Sequence, residues 1–418
     1  MQRVAVVCSR YPALSHAFIV REVRALREQG LDVHTFTVRR PRDEELLSGE
    51  DREESARTQA LLPPNPVRLV AAHARAALTR PRRYLGALGL SLRLSTGGVR
   101  ALLWRFFYFV EAVLLWDECR RRGLRHLHAH FANVGSDTSL LAAHLGGPGL
   151  SWSFMMHGCT ELFDERPHRL PEKIRRASLV VCNSHFTRAQ LMKLVGREEW
   201  DKLQVVPCGI DTRALDRLPH RPEAGPLRVL TVGRLVSGKG HAVLLDALAS
   251  LRDRGIDTLA TFVGDGPERE PLERLAEELR LDVRFAGAVG QDELPAYYAD
   301  AQLFCLPTFA EGLGVVLLEA MATGLPVVSS LVMGVPEVVD EESGLLVLPG
   351  RADLLADAIA RLADAPSLRR RMGLAGRRRV VEEFSLDRQG ATVAALLGGG
   401  SPAAVSSHKP AEAAAAAA

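Results

Sequence analysis

Short apolar runs and stretches of helical periodicity alternate along this chain, in two series separated by a polar interruption. In the first series, residues 3–8, 31–38, 125–130, 151–156, 178–182 and 203–206 read as strands, and 15–29 reads as a helix stopped by Gly30. Ser184 stands where it can cap a helix running to Leu194. The second series runs strand 227–232, helix 240–254, strand 258–263, helix 267–279, strand 282–286 and helix 292–299. A strand ending at Pro307, a helix to Thr323 and a strand from Pro326 follow. Alternation of this kind predicts an α/β protein with parallel sheets covered by helices. Two series imply two domains facing a cleft, with ligand sites at the carboxyl ends of the strands. The expected division is an N-terminal domain over 1–209, a linker over 210–226 marked by Pro219, Pro222 and Pro226, and a C-terminal domain over 227–380. A helix over 381–397 is expected to cross back to the N-terminal domain, and 398–418 to be a disordered low-complexity tail. The charged, proline-containing stretch 41–65 reads as a mobile insertion.

At 418 residues the chain is too long for one ordinary core, which agrees with two domains. A hydrophobic content of 47% and a charged content of 25% are globular values, and a net charge of +3 gives no ground for a nucleic-acid partner. The six cysteines are scattered, with no Cys-x-x-Cys pair, as expected of reduced, buried thiols in a cytoplasmic protein. The N-terminus runs straight into the apolar run VAVVCS instead of a signal peptide, and no apolar run reaches transmembrane length without charge. Segment 66–110 holds eight arginines and no acid, and ends in Trp104, Phe106, Phe107, Tyr108 and Phe109. Such a segment suits peripheral contact with an anionic inner membrane face, or a helix packed on the core with its arginines outside.

The stretch LFCLPTFAEGLGVVLLEAMATGLPVVSS, residues 303–330, reads as a complete ligand-binding device. Gly312 and Gly314 sit where a strand hands over to a helix. A backbone without side chains there lets a phosphate approach free N–H groups and the positive helix end. Glu311 lies beside that point. Glu319 lies among Val315, Val316, Leu317 and Leu318, where a carboxylate is costly unless something pairs with it; ribose hydroxyls would serve.

This stretch resembles the E-x7-E motif of the retaining glycosyltransferases of family 4, including the flanking Glu-Ala-Met-Ala-x-Gly-x-Pro-Val-Val. The resemblance implies a GT-B fold, two Rossmann-like domains facing a central cleft. VLTVGRLVSGKGH, residues 229–241, is similar to the family's GRL-x-x-x-KG motif, which implies that Arg234 and Lys239, with Gly312 and Gly314, hold the donor diphosphate. Two cations suit a leaving group on which negative charge develops. Gly240 stands where a P-loop needs Ser or Thr, so Lys239 is not a P-loop lysine. In the family, loops such as Gly264-Asp265-Gly266 and Phe285-Ala286-Gly287 border the base, which implies Gly264, Asp265 and Gly287. Glu337, in the family's next element, is either a ligand or a helix-cap partner.

SRYPALSHAFIVREVRAL, residues 9–26, resembles the opening of exopolysaccharide and colanic-acid-type transferases. Those read Ser-Glu-Thr-Phe where this chain has Ser15-His16-Ala17-Phe18, a departure that removes a carboxylate from the acceptor side. HLHAHFA resembles the family's His-x-His-Phe strand end, which implies His130 near the cleft, and the His157-Gly158 turn implies a catalytic histidine touching the donor sugar. His126, His128 and His130 share one strand face, but without a fourth ligand or a carboxylate nearby in the sequence they are not read as a metal site.

The implied activity is hexosyl transfer from a UDP- or GDP-linked sugar to a hydroxyl of a glycan or lipid-linked glycan. Glu311 would stabilise charge on the sugar ring, Glu319 would bind ribose, and no cofactor is expected. No Asp-x-Asp occurs, which disfavours a metal-bridged donor. Another GT-B enzyme, sucrose-phosphate-synthase-like or glycogen-synthase-like, and a non-catalytic nucleotide-sugar-binding protein are the alternatives.

Overall fold

The computed structural model describes residues 2–13, 16–158, 160–215 and 225–399. Ser15, most of the expected linker and the tail beyond residue 399 lie outside them. The N-terminal half holds seven parallel strands: β1 Arg3–Arg10, β2 Asp32–Arg39, β3 Gln59–Leu62, β4 His126–His130, β5 Ser151–Met156, β6 Leu179–Cys182 and β7 Leu203–Val205, in the order β3-β2-β1-β4-β5-β6-β7. The C-terminal half holds six: β8 Leu227–Val232, β9 Thr258–Val263, β10 Val283–Gly287, β11 Leu303–Leu306, β12 Val327–Ser330 and β13 Gly344–Val347, in the order β10-β9-β8-β11-β12-β13. Each order reverses direction once, between β1 and β4 and between β8 and β11. Crevices open at those reversals, beyond the carboxyl ends of the strands. One buried apolar cluster runs through both halves, from Ile19, Val23 and Met155 to Leu306, Leu313 and Leu317.

The stretch 41–65 is not a mobile insertion. It forms helix Gly49–Arg57, in which Ser48 and Asp51 cap one another's backbone, and the edge strand β3, paired parallel to β2. Glu54 fixes that helix to the core, taking both Arg27 nitrogens at 2.7 and 3.0 Å.

Three of the eight arginines of 66–110 are opposed, by acids that come from beyond the segment. Helices Pro66–Thr79, Pro81–Arg93 and Val99–Arg122 carry them. Arg75 pairs with Asp117 and Arg105 with Asp137, both at 2.8 Å, and Arg68 bonds Glu118. The same helices leave Val67, Leu78, Val99, Leu103 and Phe107 more than half exposed.

The chain crosses between halves a second time near its end. Ile210 N–H donates to Phe384 O at 2.8 Å and Leu386 N–H returns to Ile210 O at 3.0 Å. Helix Leu386–Leu397 then packs on helix Ala17–Glu28, so closely that a Cβ on Gly390 would lie 2.7 Å from Ala25 Cβ.

Candidate active site

The C-terminal side of the cleft is built by the loops after β8 and β11. After β8, Gly233 and Arg234 lead into a tight turn over Ser237–Lys239, and Gly240 takes φ +67° as it opens helix His241–Asp253. A Cβ at Gly240 would fall 2.0 Å from the Pro307 carbonyl oxygen, so glycine is what lets the two loops touch. This contact brings Lys239 Nζ onto Glu311 Oε2 in an ion pair. Gly314, at φ +94°, opens helix Val315–Ala322 beside them. Arg234 is exposed and makes no ion pair among the described residues. Together these give two cations, a carboxylate and a helix start at one reversal point. That arrangement can receive a diphosphate and release a carboxylate as it does so.

Gly264, Gly287 and the Gly233 loop lie backbone against backbone at the strand ends. Gly264 N–H donates to Gly287 O at 2.8 Å, and a Cβ on Gly264 would meet Gly233 O at 1.9 Å. Asp265 is exposed at this rim and accepts from Gly266 N–H at 2.7 Å.

Glu319 is not waiting for a partner. Its Oε1 takes Arg21 Nη1 at 2.7 Å and its Oε2 takes the Tyr298 hydroxyl at 2.9 Å, both inside the protein. Burial, with the Glu319 charge adding to it, raises the Tyr298 hydroxyl well above its ordinary value, so it stays a donor. Arg21 also reaches Gln291 Oε1 at 2.6 Å, so the pair ties the two halves together. Glu337 does the same from another direction. Its two oxygens accept the His185 and Phe186 backbone N–H groups, each at 2.7 Å, at the start of helix His185–Met192. Of its two sequence readings, the structure gives the helix cap.

On the N-terminal side, His16 precedes helix Ala17–Glu28 and packs on Phe131, ring centroids 4.9 Å apart. Burial, and more weakly the charge of Arg234, hold its imidazole below the usual range. His157 is buried, and both ring nitrogens face protein: Nε2 lies 2.8 Å from His130 Nδ1, and Nδ1 lies 3.7 Å from Cys208 Sγ. Burial keeps both imidazoles well below their usual pKa, hence neutral. The His157 carbonyl accepts from Asn183 Nδ2 at 2.7 Å, and a Cβ on Gly312 would come within 2.6 Å of that carbonyl oxygen. Gly312 is thus where the two halves touch.

His126, His128 and His130 do share one face: His126 Nε2 and His128 Nδ1 both reach Ser153 Oγ at 2.7 Å. The expectation that no carboxylate stands near them is corrected by Glu22, whose Oε1 lies 3.7 Å from His128 Nε2 and 3.5 Å from His130 Nε2. Sequence reasoning missed Arg21, Glu22, Asn183 and Tyr298. A signal for Glu22 existed: it falls on the apolar face of its helix, between Ile19, Val23 and Leu26, where an acid announces a buried partner.

Two family models match successive stretches of the chain: Glycosyltransferase Family 4 over residues 16–214, and Glycosyl transferases group 1 over residues 213–379. The chain belongs to glycosyltransferase family 4. This family-4 chain is 34% identical over 244 residues to the GDP-mannose-dependent alpha-(1-6)-phosphatidylinositol monomannoside mannosyltransferase of Mycolicibacterium smegmatis, covering 53% of this chain and 63% of that protein. It is 32% identical over 245 residues to a putative colanic acid biosynthesis glycosyltransferase of Escherichia coli K12, covering 56% and 60%. The chain thus spans about three fifths of the length of these curated relatives. Among solved structures, sucrose-phosphate synthase from Thermosynechococcus elongatus superposes with a TM-score of 0.71 at 22% identity, over 96% of this chain and 99% of that one. Anabaena HepE in complex with UDP-glucose superposes with a TM-score of 0.71 at 17% identity, over 96% and 100%. The family-4 chain has the GT-B fold.

Proposed function

We propose that this chain transfers a hexose, with retention at the anomeric carbon, from a UDP- or GDP-linked sugar to a hydroxyl of a glycan or lipid-linked glycan. The observation that carries this reading is the meeting of Arg234, Lys239, Glu311 and the Gly314 helix start at the β8/β11 reversal. The diphosphate takes Lys239 from Glu311 and faces Arg234. The freed Glu311 carboxylate then lies beside the sugar, where it orients hydroxyls and offsets positive charge growing on the ring. The bond from the anomeric carbon to the diphosphate oxygen breaks with its electrons going to the diphosphate. The acceptor hydroxyl attacks from the same face, and its proton passes to the departing oxygen. Arg234, Lys239 and the helix start supply the counter-charge, with no metal bridging the diphosphate. Glu319 binds the ribose by exchanging its Arg21 contact. His157, held neutral, lines the sugar side through the His157–Gly312 contact. The named relatives support a cell-surface polysaccharide or glycolipid acceptor.

The acceptor side supports a membrane-borne substrate. A cavity of about 470 Å³ opens beyond β1 and β2, lined by Arg10, Arg39, Trp104 and Tyr108 among others. The exposed Leu103 and Phe107 flank the lining Trp104 and Tyr108 in sequence, and Arg82, Arg93 and Arg100 on the same run of helices make no ion pair among the described residues. These helices dock on an anionic inner membrane surface, while no helix of the described residues is long and apolar enough to cross one. Vesicle binding that rises with anionic lipid and falls with salt is the expected result; binding indifferent to both removes the docking proposal.

The test of the transfer reading is calorimetry with UDP, GDP and the corresponding nucleosides. Lys239→Ala should weaken diphosphate binding by about 1.5–3 kcal/mol, the worth of a charged hydrogen bond, and leave nucleoside binding little changed. Added magnesium should not alter the wild-type diphosphate affinity. Equal losses for diphosphate and nucleoside would overturn the assignment.

A further inference from the structure

Beneath the cleft, three ligand-type atoms converge in a place that no step above uses. Glu22, His128 and His130 are each 0% exposed. Glu22 Oε1, His128 Nε2 and His130 Nε2 all lie within 4.8 Å of one another, and each is buried without a hydrogen-bond partner. Buried polar atoms are almost always paired, so three orphans aimed at one point need an explanation.

Hydrogen bonds do not supply it. The Glu22 oxygen is 3.7 Å from His128 Nε2 and 3.5 Å from His130 Nε2, beyond the roughly 2.7–3.2 Å of an N–H···O bond. A single proton would in any case satisfy one pair and leave the third atom bare. A metal ion satisfies all three. With metal–ligand lengths of about 2.0–2.2 Å, ligand atoms at tetrahedral to trigonal angles stand about 3.3–3.7 Å apart, the separation seen here between the carboxylate and each imidazole.

The rest of each ligand is already fixed. His128 Nδ1 is held by Ser153 Oγ at 2.7 Å, His130 Nδ1 by His157 Nε2 at 2.8 Å, and Glu22 Oε2 by Gln389 Nε2 at 2.6 Å. Outer partners of this kind set the tautomer and aim of metal ligands.

We propose that Glu22, His128 and His130 bind one divalent transition-metal ion of the zinc class, the hard–borderline set of two imidazoles and a carboxylate that such ions take. The ion ties helix Ala17–Glu28 to β4, apart from the diphosphate position. It also acts on His157. With the ion on Nε2 of His130, the proton of that ring sits on Nδ1 and is donated to His157 Nε2. The His157 proton is then confined to Nδ1, facing Cys208. The metal would fix the tautomer of the histidine nearest the donor sugar.

The inference stands independently of the transfer reading, because metal binding is measured without turnover. Full-length protein purified without chelator is analysed for metal by mass spectrometry. Stripped protein is then titrated with cobalt(II) and its visible absorption recorded. The expected result is one ion per chain and intense bands of low-coordinate cobalt. Glu22→Gln and His128→Gln should each lower the affinity by more than the roughly 10–100-fold that loss of an outer partner costs, while His144→Gln leaves it unchanged. Should the Glu22 variant fail to fold, the wild-type spectrum and His128→Gln decide. Metal-free protein that gives no cobalt spectrum would mean that a proton occupies the site. Binding that survives both ligand substitutions would mean that the ion lies elsewhere. Either result overturns the proposal.

Discussion

The Arg21–Glu319 pair offers the sharpest test of how the two halves hold together. The contact is 2.7 Å, with the side chains 16% and 8% exposed, and Tyr298 donates to the second carboxylate oxygen at 2.9 Å. Glu319→Gln keeps the shape but removes the charge, leaving a nearly buried guanidinium with only Gln291 as a neutral partner. Breaking a fully buried pair costs about 3–5 kcal/mol. The residual exposure of Arg21 and the surviving neutral bonds bring the expectation down to about 2–3 kcal/mol, the upper part of the range for a charge-assisted hydrogen bond. Arg21→Met, which strands the carboxylate instead, should cost a similar amount. The double variant should recover much of the loss, giving a coupling energy of about 1.5–3 kcal/mol. Urea unfolding followed by tryptophan fluorescence suits the measurement, since all four tryptophans (Trp104, Trp116, Trp152 and Trp200) lie in the half that carries Arg21. A coupling below about 0.5 kcal/mol, the size of an exposed surface pair, would refute the idea that this contact is a buried tie between the halves.

Three other outcomes follow from particular contacts. Gly240→Ala should lose about 1–3 kcal/mol of stability in thermal unfolding, because its Cβ would sit 2.0 Å from Pro307 O at φ +67°, whereas Gly238→Ala, with nothing within 4 Å, should be close to neutral. Glu337→Gln should lower the urea midpoint by an amount equivalent to about 1 kcal/mol, since an uncharged amide can accept from only one of the two N–H groups it now caps. His241 is held neutral, its pKa lowered to about 4 mainly by burial and also by Lys239. The unfolded chain therefore binds a proton that the folded one refuses. The stability from this group is whole above about pH 6.5 and falls by up to about 3 kcal/mol as pH drops towards 4. His241→Leu should lower the slope of that stretch by one proton's worth, the buried His126, His130 and His157 supplying the rest; an unchanged slope would mean that His241 contributes nothing to it.

Eleven of the thirteen strands were legible as short apolar runs between helical stretches, with boundaries within two residues of their expected places, as for 151–156, 227–232 and 258–263, whereas the edge strands β3 and β13 were not read. The motif residues were legible because glycine spacing reports backbone geometry directly: Gly240 and Gly314 do take left-handed conformations. What escaped was whatever depends on a distant partner. The charge of 41–65 masked a helix because its acids answer Arg27 and Arg10 rather than water. Arg68, Arg75 and Arg105 looked unopposed because Glu118, Asp117 and Asp137 come later in the chain. The partner that Glu319 holds here escaped because Arg21, nearly 300 residues earlier, is invisible to local pattern. The carboxylate beside the alternating histidines escaped for the same reason, since Glu22 comes from the first helix.

The second crossing near residue 385 bears on how the chain is made. Helix Leu386–Leu397 is separated by both sheets from the first helix, which it covers, and so leaves the ribosome long after it. Until then the groove around Ala25 has no cover, and Glu22 has no Gln389 to hold it. A chain released early, or a fragment cut at the gap between the sheets, keeps every strand of its N-terminal sheet yet exposes that apolar seam. The N-terminal half therefore closes its seam only once residues 386–397 have emerged, and nascent chains arrested before residue 386 should be the form that chaperones hold and proteases clip.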